Sequence, residues 1–346
     1  MIADPEGPVR QVCIFSEGGK ERGLGHVARC RAIADAVEEV GVGARFVIEG
    51  DPSVGAVLGA ANWEAREWTR NPASLVGLVA RDAIVLVDSL TVTQEGCRAI
   101  EEAFTRTAFI DDYQRHDYTR SLVIDWTIGI ESDSYYTTRK HRPAVEYLLG
   151  VRYAALRREF WDIPEKRIAS GIGNILLTFG GSDIRNLTPP VLRAVAGRYP
   201  DARKAVILGH AYTNRDAIED ARDANTRIID KPTTSDLVEA MLAADVALCG
   251  GGQTLYELAR VGVPTVATHI IDNQRFDVTG WQQVGAIEVA GSWDDPALTV
   301  RVLGLLRSLE APEARAGVSR IGRSLIDGGG ARAIRDRLLR AWGQHH

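Results

Sequence analysis

The feature that most constrains this chain is a rhythm. Short apolar runs each stop on an acid or a glycine turn and hand over to a helix or a loop. Val12-Cys13-Ile14-Phe15 runs into Glu17-Gly18-Gly19, Ala83-Ile84-Val85-Leu86-Val87 stops on Asp88, Ala108-Phe109-Ile110 on Asp111-Asp112, and Leu122-Val123-Ile124 on Asp125. Unbroken Val/Ile-rich runs suit strands buried on both faces. Between the runs, Cys30, Ile33, Ala34, Val37 and Val40 mark one face of a helix that ends at Gly41. Shorter strands are expected over residues 45–49 and 63–68. Together these read as a doubly wound α/β parallel sheet, whose ligands bind beyond the carboxyl ends of the strands.

The pattern lapses over residues 155–173, a charged connector with Arg157-Arg158-Glu159 and Pro164-Glu165-Lys166-Arg167. A second alternation follows, with strands expected over residues 174–179, 204–208, 227–230, 245–249, 264–268 and 286–289, and helices over 188–199, 235–243 and 255–261. Residues 314–342 read as helical, with a break at Gly328-Gly329-Gly330. A chain of 346 residues is too long for one ordinary core. The expected domains are residues 1–160, and residues 161–346 with a C-terminal helix.

Composition removes several classes of function. The formal charge of −5 offers no attraction to nucleic acid or an anionic membrane. No apolar run approaches the roughly 20 residues of a membrane helix, so no membrane insertion is expected. Residues 1–10 hold acids, prolines and a glycine in place of the basic end and apolar core of a secretory signal. The four cysteines are scattered without metal spacing, and Cys13, Cys30 and Cys249 lie in apolar patterns, which suggests buried thiols in a cytoplasmic protein. His116, His141, His210 and His269 form no i,i+4 pair, which argues against zinc. Asp111-Asp112 lacks further ligands for a metal. Asp88, Asp111, Asp112 and Asp125 read as helix caps or turn formers, and Trp63, Trp68 and Trp126 as core or interface fillers.

Three turns carry chemistry. After the strand Val246–Cys249, Gly250-Gly251-Gly252 turns the chain into a helix that begins at about Thr254, on the spacing of Leu255, Leu258 and Ala259. Gly251, Gly252, Gln253 and Thr254 then offer backbone N–H groups and a positive dipole end to an anion. Thr254-x-x-Glu257 has capping-box spacing, so Glu257 either closes the helix start or reaches a ligand. Gly180-Gly181-Ser182 is a second turn able to present N–H groups and a hydroxyl. At the first strand-to-helix turn, Gly23-x-Gly25 precedes His26, at the start of a helix expected near Val27. The dipole there disfavours imidazolium and leaves a neutral base.

Read whole, the run from Gly250 to Pro264, followed by Ile271-Asp272-Asn273-Gln274, resembles the nucleotide-sugar signature in the C-terminal half of two-domain glycosyltransferases. Gly23-Leu24-Gly25-His26-Val27-Ala28-Arg29-Cys30 resembles the first-loop motif of the UDP-sugar hydrolase of the pseudaminic-acid pathway and of its spore-coat polysaccharide relatives. Leu86–Ser89, Ile110–Asp112, the inter-domain segment Leu148–Phe160 and the run Leu176–Thr188 extend that resemblance over most of the chain.

The resemblance implies the glycosyltransferase-B architecture, two Rossmann-like domains facing a cleft. It implies that the Gly-rich turn holds a pyrophosphate, Glu257 grips the ribose hydroxyls, Asn273 and Gln274 face the sugar, and His26 is the general base. The implied reaction is hydrolysis of a UDP-linked amino-sugar to UDP and free sugar, with no metal or other cofactor. A glycosyltransferase using the same donor, and a non-catalytic nucleotide-sugar-binding subunit, are the alternatives. The chain departs from the family pattern at Glu17-Gly18, Leu90, Thr127-Ile128-Gly129 and Gln253, mostly on the sugar side. Nothing in the sequence specifies an oligomeric state.

Overall fold

The structure, a computed structural model, describes residues 11–340 apart from 21, 81–82, 113, 140–143, 210–211 and 272–273. The expectations placed on residues 1–10, His141, His210, Asp272, Asn273 and Trp342 lie outside the described residues. The chain divides into two compact units, residues 1–158 with 329–346, and residues 159–328.

The first unit is built on β1 (Gln11–Gly18), α1 (Gly25–Glu38), β2 (Gly43–Gly50), α2 (Gly55–Leu58), β3 (Trp63–Ala65), β4 (Ile84–Asp88), α3 (Gln94–Ala103), β5 (Arg106–Ile110), β6 (Leu122–Asp125), α4 (Ser134–Arg139) and β7 (Glu146–Leu149). The strands form one parallel sheet in the order β3-β2-β1-β4-β5-β6-β7. All five residues of β4 and of β5 are buried, as strands at the centre of a doubly wound sheet must be. Phe15 of β1 meets Trp68 and Phe104 at ring-centroid distances of 5.9 and 6.0 Å. Trp68 donates its indole N–H to the Ser16 carbonyl at 3.1 Å, so a fully buried side chain leaves no polar atom unpaired.

The second unit contains β8 (Asn174–Thr178), α5 (Thr188–Arg198), β9 (Arg203–Leu208), α6 (Arg215–Glu219), β10 (Thr226–Asp230), α7 (Thr234–Ala243), β11 (Val246–Gly250), α8 (Thr254–Val261), β12 (Thr265–His269), α9 (Gln274–Gln283), β13 (Glu288–Ser292), α10 (Leu298–Ser308) and α11 (Pro312–Leu325). Its parallel strands run in the order β10-β9-β8-β11-β12-β13. Ile175 and Leu177 of β8, Val206 of β9 and Leu248 of β11 pack with Val191 and Leu192 of α5 and with Val302 and Leu306 of α10 in one core. This is the expected α/β class, two doubly wound parallel sheets.

Four local expectations are corrected. The strand expected over 63–68 stops at Ala65, because Trp68 turns into the core. β7, α2, α3, α4, α6, α9 and α10 were not read from the sequence; β7 is only half-buried and gives a weak apolar signal. The last strand lies at Glu288–Ser292 instead of 286–289, beside an irregularity in its pairing with β12. The residue at the N-cap of α8 is Gln253, whose side chain makes no cap; Thr254 is already helical, so its capping box with Glu257 does not form.

The domain expectation is also corrected. The last helix, α12 (Gly330–Arg340), belongs to the first unit and not to a C-terminal domain of residues 161–346. Its Ile334 and Leu338 are buried, and Arg332 and Arg335 pair with Glu39 just past α1, at 2.7 and 2.9 Å. Gly330 lies so close to the Ala154 backbone that a Cβ there would sit 2.2 Å from the Ala154 carbonyl oxygen. The glycine break is therefore where the chain re-enters the first unit.

Candidate functional site

In each sheet the strand order reverses direction once, between β1 and β4 in the first unit and between β8 and β11 in the second. At such a switch point the loops leaving two adjacent strands diverge and open a ligand crevice. The motifs read from the sequence lie at these two places.

In the first unit, Ser16 of β1 is in register with Asp88 of β4. The chain leaves β1 through a loop closed by the Gly19 amide on the Gly23 carbonyl, 2.9 Å, with Gly23 at φ +79°. It enters α1 at Gly25, two residues before the expected start, which puts His26 within the first turn. His26 Nδ1 lies 2.7 Å from Asp88 Oδ1. Asp88 is wholly buried; burial would raise its carboxyl, but Arg29 first and His26 second outweigh that and hold it well below the usual carboxylate range. An ionised Asp88 can only accept, so Nδ1 carries the proton and Nε2 is left as the acceptor.

Arg29, one helical turn on, grips the same carboxylate. Its Nε donates to Oδ2 and its Nη2 to Oδ1, both at 2.6 Å, while Nη1 donates to Asp112 Oδ2 at 2.5 Å. The guanidinium lies 5.2 Å from the Trp126 ring centroid. Burial opposes its charge, but Asp112 and Asp88 keep it firmly protonated. Cys30 Sγ is 3.5 Å from Asp88 Oδ2; burial and that carboxylate push the thiol up, so it is no nucleophile.

Two departures from the family pattern turn out to be one contact. Glu17, at the end of β1, is buried and accepts from the Leu90 and Thr91 amides at 2.5 and 3.2 Å. It thereby ties down the loop after β4, and Arg22 closes its other side at 3.3 Å. Asp111 and Asp112 do not converge as a metal pair. Asp111 takes the Tyr118 hydroxyl at 3.1 Å, whereas Asp112 takes Arg29. Among the described residues no group of three His, Cys, Asp or Glu side chains could hold a metal ion.

In the second unit, Thr178 of β8 is in register with Cys249 of β11, so Gly180-Gly181-Ser182 and Gly251-Gly252-Gln253 leave neighbouring strand ends. Asp183 accepts from the Leu187 and Thr188 amides at 2.9 and 2.8 Å and so anchors the first of these loops to α5. Gly181 lies against Gly209: a Cβ on Gly209 would be 2.4 Å from the Gly181 carbonyl oxygen. A Cβ on Gly251 would be 2.2 Å from Val278 of α9. Gly252 is different: among the described residues the nearest atom to its Cβ position is Gln274 Nε2, at 3.7 Å.

Gln274 Oε1 in turn accepts from the Ile270 amide at 3.1 Å. The Gly-rich turn, Thr254, Gln274 and the end of β12 thus form one surface at the N-terminus of α8. Glu257 is buried in the first turn of that helix. Tyr256, next to it, donates to Asp277 at 2.8 Å and packs edge-on against Trp281 at 5.1 Å, which fixes α8 on α9. Asn273 lies outside the described residues. His269 is half-buried at the end of β12, and burial, helped by Arg275, lowers its tendency to protonate.

Sequence reasoning missed Asp88 as a partner of His26, and Arg29 and Asp112 with it. Asp88 was read as a turn former, and the signal that could have found it is its place at the end of the strand next to β1. A cavity of about 720 Å³ elsewhere in the second unit is lined by the starts of β8, β9 and β10 and by α7. None of the expected site residues borders it, and it lies at the wrong end of the strands for a ligand of this fold class.

No protein-family model matches the chain. It is 24% identical over 331 residues to the spore coat polysaccharide biosynthesis protein SpsG of Bacillus subtilis, covering 92% of this chain and 95% of that protein. It is 21% identical over 266 residues to the Helicobacter pylori pseudaminic acid cytidylyltransferase and UDP-2,4-diacetamido-2,4,6-trideoxy-beta-L-altropyranose hydrolase, covering 76% of this chain. An uncharacterised protein of Methanocaldococcus jannaschii is 23% identical over 276 residues. The matches span 57% of the M. jannaschii protein and 45% of the H. pylori protein.

Among solved structures, MurG of Acinetobacter baumannii superposes with a TM-score of 0.63 at 15% identity, covering 96% of this chain and 99% of that one. The UDP-GlcNAc 2-epimerase of Neisseria meningitidis, solved with UDP-GlcNAc bound, gives 0.64 at 15% identity, covering 95% of this chain and 100% of that one. The chain has the glycosyltransferase-B fold, and in sequence it is similar to the spore-coat polysaccharide and pseudaminic-acid-pathway proteins that its first-loop motif resembles.

Proposed function

We propose that this protein is an enzyme of glycan biosynthesis that hydrolyses a UDP-linked amino-sugar to UDP and the free sugar. The observation that carries the reading is the pair His26–Asp88, in which a buried carboxylate holds Nδ1–H and leaves Nε2 as the acceptor in the first turn of a helix. That is the arrangement a general base needs. A water gives its proton to Nε2 as its oxygen attacks, and the bond to the diphosphate breaks. The departing charge is taken up by the N–H groups of the Gly251-Gly252-Gln253 turn and by the positive end of α8. Ser182 and the Gly180-Gly181 turn contribute further donors, Glu257 binds the ribose hydroxyls, and Gln274 faces the sugar. The similarity to a protein whose name includes a UDP-sugar hydrolase supports this reading, as does the likeness in fold to a structure holding UDP-GlcNAc.

The test is incubation with UDP-linked amino-sugars and no acceptor. Release of UDP and free sugar in equal amounts is expected, and His26→Asn should lower turnover by about 100-fold or more with affinity for the nucleotide-sugar nearly unchanged. Tight binding with no sugar released would reject hydrolysis. In that case, transfer on adding an acceptor would favour a glycosyltransferase.

A further inference from the structure

A base paired with a buried carboxylate faces a conflict. The carboxylate that fixes the ring tautomer also stabilises the imidazolium, and a ring that is already protonated cannot accept a proton. With Oδ1 only 2.7 Å from Nδ1 and Asp88 wholly buried, that attraction would be strong if nothing opposed it.

Among the described residues, the charged and titratable groups around the imidazole come from four elements. Asp88 comes from the end of β4, Arg29 and Cys30 from its own helix, and Asp112 from the segment after β5. Glu17, at the end of β1, is taken up by Leu90, Thr91 and Arg22. Of these only Arg29 is a cation in contact with both members of the pair. It makes two bonds of 2.6 Å to Asp88, and its Nη2 stands 3.1 Å from His26 Nδ1. Asp112 and the face of Trp126 hold the guanidinium in that place. A lysine could not reproduce this, because the grip uses the planar two-pronged geometry of the guanidinium.

We propose that Arg29 is the positioning residue that sets the proton affinity of His26, by neutralising the carboxylate that orients its ring. The inference rests on the reading of His26 as the base. Arg29 acts twice, by cancelling most of the charge on Asp88 and by placing its own positive charge beside the ring over which the imidazolium charge would spread. An arginine that merely braced the fold would do neither.

The experiment is an NMR titration of the full-length protein labelled at its histidine rings, with the His26 signal assigned by its loss in His26→Asn. Arg29→Gln should move the His26 midpoint up by about 1–3 pH units, the scale for an opposite charge at this range. Asp88→Asn should move it down. The double variant Arg29→Gln/Asp88→Asn, which leaves neither charge of the pair buried alone, should titrate at least about one unit above Asp88→Asn. That double variant also keeps the test decisive if Arg29→Gln alone does not fold.

Coincident midpoints for Asp88→Asn and the double variant would overturn the proposal, as would an unmoved or lowered midpoint in Arg29→Gln. The acid limb of turnover should follow the ring signal in each variant. Ring midpoints that move while the acid limb stays fixed would support the role of Arg29 and reject His26 as the base.

Discussion

Asp88→Asn is the substitution that asks most of the site. In the native protein each oxygen of Asp88 is used twice, Oδ1 by His26 and Arg29, Oδ2 by Arg29 and Cys30. Asparagine keeps the volume and one acceptor oxygen but removes the charge, and it leaves a buried guanidinium with Asp112 alone. Removing one partner of a buried ion pair costs about 3–5 kcal/mol, and the retained oxygen puts this case at about 3. A domain of ordinary stability survives that loss.

The catalytic effect follows from the tautomer. Without the carboxylate, Nδ1 is free to accept from Arg29 Nη2, which already stands 3.1 Å away, and the ring proton moves to Nε2. Nε2 is then a donor and no longer an acceptor, and turnover should fall by about 100- to 10,000-fold, or about 3–5 kcal/mol of barrier. Initial rates of UDP release at pH 7, with urea unfolding of the same preparations, measure both quantities. Turnover within about threefold of the wild type would refute the tautomer argument. A drop in stability without a drop in turnover would reduce Asp88 to a scaffold for Arg29.

Three further outcomes are expected. Glu257→Gln should weaken UDP binding by about 1–3 kcal/mol in calorimetric titration with the thermal midpoint unchanged; a fall in stability with unchanged affinity would make Glu257 a helix-end residue only. Gly251→Ala should lose about 1–3 kcal/mol of stability in a urea melt, because its Cβ would sit 2.2 Å from Val278, and a neutral result would show that α9 gives way there. Burial pushes the Asp125 carboxyl up to about 7, against which the bonds from Thr127 and Tyr136 work only in part. The native state therefore holds a proton that the unfolded chain has lost above about pH 4. The stability this contributes is fully present below that value and is lost as pH rises through about 7. Asp125→Asn should remove that slope and be the more stable protein at pH 8, by at most about 4 kcal/mol; parallel curves of stability against pH would contradict it.

Much of the fold was legible because parallel strands are buried on both faces and so write themselves as apolar runs. β4, β5, β6, β8, β9 and β11 were each readable within two residues for that reason. The strands that escaped, or shifted, are half-buried: β7 at Glu146–Leu149 and β13 at Glu288–Ser292 lie at sheet edges, where one face carries less apolar demand. The capping box at Thr254 failed because spacing alone does not say which residue is the last outside the helix, and here that residue is Gln253.

What the amino-acid sequence determined by itself is local. It set where strands give way to glycine turns, that a histidine opens the first helix, and that glycines rim the turn before α8, since each of these depends on neighbours a few residues away. What only the tertiary structure decided is which distant groups share a charge. Asp88 lies 62 residues from His26, and Arg29 reaches a carboxylate 83 residues away; the order of strands brings them together. The last helix joins the first unit for the same kind of reason, since Arg332 finds its carboxylate 293 residues earlier, at Glu39. Electrostatic partners are chosen by distance in space, and a linear pattern holds no record of that distance until the sheet has closed it.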